Sequence, residues 1–197
     1  MVTIIDYGSG NLKSISNGFL KIGAKPKITN NAEEIVDSKY IVLPGVGAFA
    51  SAMKNVKIFK NLILEHINDN KPFLGVCLGL QLLFNCSDEN PGIEGLGIFK
   101  GNVKKLPGDM KIPHIGWNRI ESTKSSKILD DLDGKYFYFV HSFHGVPKEN
   151  IVSSTAEYGV KVTASLEENN VFATQFHPEK SGNSGLKILK NFISIES

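Results

Sequence analysis

Cysteine is scarce in this 197-residue chain: Cys77 and Cys86 are the only two, nine positions apart. That spacing fits neither a disulfide framework nor a metal ligand set, so both thiols are expected to be free, as in a reducing compartment. Excess charge is lacking too, since 22 Lys and Arg against 20 Asp and Glu leave a net +2. No long basic stretch supplies the phosphate-binding footprint of a nucleic-acid protein, and the lysines between positions 100 and 105 read as a solvated face. No run of about 18 apolar residues is present to span a bilayer. Met1-Val2-Thr3-Ile4-Ile5-Asp6 has neither the basic nor the apolar region of a secretory leader. No membrane or nucleic-acid partner is therefore expected, and the expected location is cytoplasmic. Repeats and low-complexity linkers are absent as well. What is present, 41% apolar and 21% charged residues, suits one domain over residues 1–197 with a substantial core.

Strand and helix patterns alternate through the first half. Val2 to Asp6 is a short apolar strand closed by Gly8 and Gly10. Leu12, Ile15, Phe19 and Ile22 then fall on one face of a helix that Gly23 stops. Tyr40 to Leu43 is a second apolar strand, ended by Pro44-Gly45-Val46-Gly47, and a helix is expected over about Ile58 to Asn68. Pro72 to Val76 is a third apolar strand, followed directly by a helix over Leu78 to Asn85. Strands apolar on both faces with helices between them indicate a parallel sheet in an α/β fold. The second half is richer in strands: Tyr136 to Val140, then Val160 to Leu166 and Val171 to Phe176 as a pair, before a last helix over Gly185 to Ile193. The expected sheet is therefore mixed but mainly parallel, flanked by helices.

Gly75-Val76-Cys77-Leu78-Gly79 lies where the third strand meets its helix. This is the spacing of a nucleophile elbow, with cysteine in the position more often held by serine. A sharp strand-to-helix turn forces the nucleophile into a strained backbone conformation, and glycines two before and two after relieve the crowding. The side chain then projects at the C-terminal edge of the sheet, at a helix N-terminus that favours a thiolate, with the N–H of Leu78 placed to donate to an oxyanion. A free cysteine is more often an inert core residue. The flanking glycines outweigh that reading for Cys77, and their absence lets it stand for Cys86.

Such a nucleophile needs a base, and the base an orienting group. Gln175-Phe176-His177-Pro178-Glu179 closes the last strand, and the two-residue spacing of His177 and Glu179 faces both side chains the same way on extended backbone. Pro178 ends the strand, leaving His177 at the edge where α/β sites lie. The other histidines read as bystanders. His141 and His144 would face opposite ways on a strand and lack a third metal ligand, His66 reads as a surface helix residue, and His114 as a structural loop residue. Gln81 lies one helical turn beyond Cys77 on the same face, within reach of a bound substrate's far end. A surface amide is the blander reading. Gly8-Ser9-Gly10 mimics the start of a dinucleotide fingerprint, but position 13 is Lys13, so nucleotide binding is rejected.

The elbow with Gln81 and the His177-Pro178-Glu179 segment resembles the class I (triad) glutamine amidotransferases, which have a flavodoxin-like fold. Asp6 to Leu12, Pro44 to Gly47, Pro113-His114-Ile115-Gly116-Trp117-Asn118, Tyr136 to Ser142 and Gln175 to Gly182 occur in order along nearly the whole chain. They narrow the resemblance to the glutaminase subunits of imidazole glycerol phosphate synthases. The resemblance implies a triad of Cys77, His177 and Glu179 that hydrolyses L-glutamine through a thioester, with no cofactor and no metal. It implies an oxyanion hole from Leu78 and Val46, and glutamine contacts from Gly47, Gln81, Ser142 and Phe143. It further implies a heterodimer with a (β/α)₈ synthase barrel, with Asn11, Trp117 and Lys180 at that interface, Lys180 being placed to meet a partner carboxylate. A chain of 197 residues leaves no room for such a barrel of about 250 residues, so ammonia is expected to pass to a separate subunit. Two rivals differ from this reading: a glutaminase feeding surface-sugar amidine synthesis, and a non-catalytic regulatory subunit. A vitamin B6 glutaminase would leave Pro113 to Asn118 unexplained.

Overall fold

The computed structural model describes residues 1–196. A nine-stranded sheet runs through it in the order β2-β1-β3-β4-β12-β11-β10-β7-β8. Its parallel core consists of β2 (Pro26–Thr29), β1 (Val2–Ile5), β3 (Tyr40–Gly45), β4 (Phe73–Cys77) and β12 (Val171–Thr174). Antiparallel strands extend it: β11 (Lys161–Glu168), β10 (Val152–Glu157), β7 (His114–Ser122) and β8 (Tyr136–His141). A smaller sheet joins β5 (Cys86–Ser87), β6 (Gly101–Lys105) and β9 (Phe143–Pro147).

Alternation along the central strands explains the layers. Val2 and Ile4, Tyr40 and Val42, and Leu74 and Val76 face one core with Phe19 of α1 (Leu12–Lys21) and Phe192 of α6 (Gly182–Ile193). Ile5, Ile41, Leu43 and Phe73 face the other. That second core is closed by α2 (Ala32–Val36), α3 (Phe49–Val56), α4 (Lys60–Asn68) and α5 (Leu78–Leu82), with the small sheet beside them. Burial on both faces is why these strands read as continuous apolar runs. This is the mixed, mainly parallel α/β architecture expected.

Several expectations need correction. The helix after Cys77 stops at Leu82 rather than Asn85, because residues 84–85 leave helical backbone to pair elsewhere: the Asn85 N–H donates to Gly101 O and the Gly95 N–H to Asn85 O. The second strand continues through Pro44 to Gly45, since Pro44 and Gly45 stay in parallel register with Val76 and Cys77. Ile58 lies in a 3₁₀ turn, Lys57–Phe59, before α4 begins. Strand β2, helix α2 and strands β6, β7, β9 and β10 carried too little apolar periodicity to be assigned in advance; helix α3 was not assigned although Phe49, Ala52, Met53 and Val56 recur at helical spacing on its buried face.

Phe192 is fully buried and meets the rings of Tyr40 and Phe172 edge-on, with centroids 5.6 and 6.1 Å away. Phe192→Ala should therefore cost about 3–5 kcal/mol in denaturant unfolding, without altering the far side of the sheet.

Candidate active site

Cys77 ends β4 and caps α5 with φ +55° and ψ −109°. A cysteine held there stores about 1–3 kcal/mol of strain, and three glycines let the surroundings impose it. A Cβ on Gly79 would strike the Leu43 carbonyl, one on Gly75 would stand 2.9 Å from Gly79 O, and one on Gly45 2.6 Å from the Tyr7 hydroxyl. The backbones of β3, β4 and α5 therefore meet more closely than any side chain permits. Cys77 is 6% exposed, and its sulfur lies 3.9 Å from Val140 O and 3.8 Å from Gln175 Nε2. Although β8 is at the end of the sheet order, its Val140 and Tyr138 carbonyls reach over the C-terminal edge of the parallel core. Tyr138 O accepts the backbone N–H of His177 at 2.9 Å.

His177 is fixed from several sides. Ser181 Oγ donates to its carbonyl at 2.6 Å and accepts the Tyr138 N–H at 2.9 Å. Its Nδ1 lies 2.8 Å from Glu179 Oε1, with the two side chains 2% and 3% exposed. The carboxylate accepts, so Nδ1 carries the proton. The pairing is made by a 3₁₀ turn at Pro178–Lys180 rather than by extended spacing: the turn brings Glu179 back beneath the ring. Nε2 makes no hydrogen bond of ordinary geometry, although Cys77 is near enough to interact with it. Burial alone would push the imidazole pKa down. The opposing pull of Cys77 and Glu179 is larger, and the pKa is raised to about 10. The ring is therefore held protonated at neutral pH, beside the sulfur.

The remaining site residues take different positions. Gln81 is 5% exposed rather than a surface amide, and its Nε2 donates to Phe143 O at 2.9 Å and to Gln175 Oε1 at 3.2 Å. Both its N–H bonds are used, leaving its oxygen for a ligand. Ser142 O accepts from the Leu106 N–H, so the Ser142 and Phe143 carbonyls already have protein donors. Pro44 O accepts from the Tyr7 hydroxyl and Val46 O from Ser9 Oγ, at 2.9 and 2.8 Å. Burial pushes the Tyr7 pKa up to about 12, keeping that donor protonated. Gly47 has φ +103°, a conformation that glycine alone adopts readily. Leu78 opens α5, so its N–H has no acceptor within the helix. With α5 only five residues long, the helix dipole at Cys77 is weaker than an eight-residue helix would give.

Asn11, expected at a partner face, caps α1 by accepting the Ser14 N–H. Trp117 is 57% exposed and stands edge-on to Tyr138, whose ring lies 5.8 Å from Lys180 Nζ. Two histidine assignments need correction. His66 is 3% exposed rather than at the surface, because its Nε2 reaches Pro72 O at 3.0 Å. His114 lies on β7, not in a loop. Gln175, fully buried against the sulfur, was not singled out from sequence. Its place two residues before His177 was the available clue. Cys86 is half-buried on β5, 3.2 Å from Asn102 Oδ1, consistent with a structural role.

These features together define a class of protein: a cysteine elbow beside a carboxylate-held imidazole. The family model "Glutamine amidotransferase class-I" matches residues 3–195. The chain is 48% identical over 195 residues to the Methanothermobacter thermautotrophicus "Imidazole glycerol phosphate synthase subunit HisH", covering 99% of this chain and 98% of that one. The Methanocaldococcus jannaschii protein of the same name is 47% identical, covering 99% and 100%. The chain therefore belongs to the class-I glutamine amidotransferases and, within them, to the family of imidazole glycerol phosphate synthase HisH subunits. Among solved structures, "Crystal structure of glutamine amidotransferase" superposes with a TM-score of 0.78 at 16% identity, covering 98% of both chains. The Trypanosoma brucei "CTPS - glutaminase domain with bound acivicin" superposes with 0.66 at 15%, covering 100% of this chain and 94% of that one. At these identities the likeness is one of fold.

Because the folded pKa of His177 lies above its ordinary value of 6.5, its stabilising contribution is complete below about pH 6.5 and is lost as pH rises through about 10. Glu179→Gln should move the NMR-detected titration of His177 well below 10 and flatten this alkaline loss of stability. An unmoved titration would show that Glu179 does not hold the ring.

Proposed function

We propose that this chain is the glutaminase subunit of an imidazole glycerol phosphate synthase, hydrolysing L-glutamine and passing ammonia to a separate synthase subunit in histidine biosynthesis. The observation that carries the reading is the pairing of Glu179 with His177 Nδ1, which leaves Nε2 free beside the sulfur of a strained elbow cysteine. In this account Cys77 attacks the glutamine carboxamide carbon. The N–H groups of Leu78 and Val46 receive the oxyanion, the latter once its peptide faces the site. His177 Nε2–H protonates the departing amide nitrogen, so ammonia leaves and a γ-glutamyl thioester forms. The ring, neutral once it has given up that proton, then takes one from water, which attacks the thioester. Collapse breaks the carbon–sulfur bond, leaving the sulfur as an anion beside the reprotonated ring and releasing glutamate, whose carboxyl proton goes to solvent. The sum is glutamine plus water to glutamate, ammonia and a proton.

Gln81 binds the amino-acid end of the substrate, its free oxygen suiting the α-ammonium, with Gly47, Ser142 and Phe143 lining the same end. No cofactor enters this chemistry. We place the partner, a (β/α)₈ barrel, on the face where Ile115, Trp117 and Tyr136 are exposed at 60%, 57% and 58%. Lys180 and Asn11 would flank that contact. Lys180 then exchanges its Tyr138 ring for a partner carboxylate, and Asn11 contributes through the α1 cap. No helix among the described residues is long and apolar enough to cross a membrane, and we assign the enzyme to the cytoplasm.

In the complex with the synthase subunit, Cys77→Ala should reduce glutamine-dependent synthesis by roughly a thousandfold or more, while synthesis from added ammonium salt persists. Retained glutamine turnover would remove Cys77 as nucleophile. Trp117→Ala should weaken association with the barrel on the order of tenfold or more, measured by titration calorimetry. An unchanged Kd would move the interface elsewhere.

A further inference from the structure

A polar chain leads from half-buried Asn118 on strand β7 toward the nucleophile: each group donates to the next as far as the Phe143 carbonyl, and Gln81 donates into that same carbonyl from the other side. Asn118 Nδ2 donates to Glu157 O at 2.9 Å while Asn118 Oδ1 accepts the Arg119 N–H at 2.8 Å, which fixes the amide's orientation. The second Nδ2 hydrogen faces His114 Nε2 at 3.4 Å, so that nitrogen accepts and His114 carries its proton on Nδ1. His114 Nδ1 lies 3.1 Å from His141 Nε2, which must then accept as well. His141 therefore bears its proton on Nδ1, 2.9 Å from Phe143 O. The far end demands the same assignment, because a carbonyl only accepts. Both rings are nearly sealed, at 3% and 5% exposed. His114 is stacked between Phe139 and Tyr158, with centroids 5.0 and 3.9 Å away. Burial pushes both imidazole pKa values down, that of His141 to about 3, so both stay neutral, and the fixed groups at either end set their tautomers.

The carbonyl of Phe143 receives two donors, His141 Nδ1 and Gln81 Nε2. Gln81 uses its other N–H on Gln175 Oε1 at 3.2 Å, which turns the Gln175 N–H toward the Cys77 sulfur at 3.8 Å. We propose that His141, held by His114, is a positioning residue for glutamine hydrolysis: through the Phe143 carbonyl it fixes the Gln81 carboxamide and, one hydrogen bond further, the Gln175 donor beside the sulfur. The orientation matters because a flipped Gln81 would turn an amino group toward the substrate's ammonium, and a flipped Gln175 would turn an oxygen lone pair toward a sulfur anion. His114 and Asn118 alternate along β7 with Ile115 and Trp117, which point out toward solvent. The strand that carries the chain's outer end is thus the one whose opposite face we assign to the partner.

This inference rests on the glutaminase reading, and its test is made in the complex with the synthase subunit. His141→Leu removes both hydrogen bonds, whereas His141→Asn keeps an amide donor where Nδ1–H stood. Loss of one such buried bond corresponds to a fall in kcat/KM for glutamine on the order of tenfold, carried mainly by KM. His141→Leu should show that fall with ammonium-driven synthesis and complex formation unchanged, and His141→Asn should recover most of it. Unaltered glutamine kinetics in His141→Leu, or His141→Asn behaving like His141→Leu, would overturn the proposal. So would an equal loss of ammonium-driven synthesis, which marks a fold defect. Independently of any variant, ¹⁵N NMR of the wild-type protein should find both His114 and His141 in the Nδ1–H form, and an Nε2–H form of either would also overturn it. A Cys77→Ala enzyme that still consumed glutamine would sink the glutaminase reading itself. Cys77-dependent turnover indifferent to His141 would sink only the relay.

Discussion

The backbone at Cys77 turns through a conformation that a cysteine adopts only under constraint, and the site is assembled around that corner. The constraint comes from close packing against main chain at Gly75 and Gly79 and, at Gly45, against the Tyr7 hydroxyl and Leu78 Cβ. Gly45, Gly75 and Gly79 bring β3, β4 and the start of α5 so near one another that a methyl group at any of them would collide. The strain is maintained because relaxing the corner would separate two strands of the parallel core, which is fully buried here. One consequence is geometric: the sulfur leaves the sheet at its C-terminal edge. A second is chemical, since the first N–H of α5 is left without a helical acceptor beside it.

The charge arrangement follows from the corner's burial. An isolated imidazole this enclosed would lose its proton. Cys77 and Glu179 reverse that tendency and leave a cation whose second nitrogen lies beside the sulfur without a hydrogen bond of ordinary geometry. An unsatisfied buried nitrogen is costly, and here it is the group that must transfer a proton. The end of β3 and the residue just beyond it are held by two hydroxyls, Tyr7 on Pro44 and Ser9 on Val46. Both come from the loop that leads to the Asn11 cap of α1, so the flank of the site and the proposed partner-facing loop share a backbone.

The parallel core was legible because both faces of its strands are buried, so β1, β3, β4 and β12 read as unbroken apolar runs. The elbow was legible because glycine spacing reports the packing directly. Strand β7 was not, since His114-Ile115-Gly116-Trp117-Asn118 alternates a buried imidazole with exposed apolar residues, the reverse of the usual pattern. Ile115 and Trp117 stand on its outward face. His66 was misread for a related reason: a carbonyl from the loop before β4 satisfies its ring in the interior, a contact local sequence does not announce. His177 and Glu179 were paired correctly from a spacing argument whose geometry was wrong. Pro178 starts a 3₁₀ turn, and the turn makes the contact that an extended chain was expected to make. Gln175 went unnoticed because its importance lies in where Gln81 and Cys77 bring their side chains, on a different strand and helix.

The central claim is that Cys77 forms a covalent bond to the substrate while His177 manages the protons. Acid-quenching the complex during turnover of isotopically labelled glutamine and mapping the peptides by mass spectrometry tests it most directly. The account predicts a labelled glutamyl adduct on Cys77 that accumulates while glutamine is present and disappears as it is consumed. Turnover with no adduct on any residue, or an adduct on Cys86 instead, would contradict it.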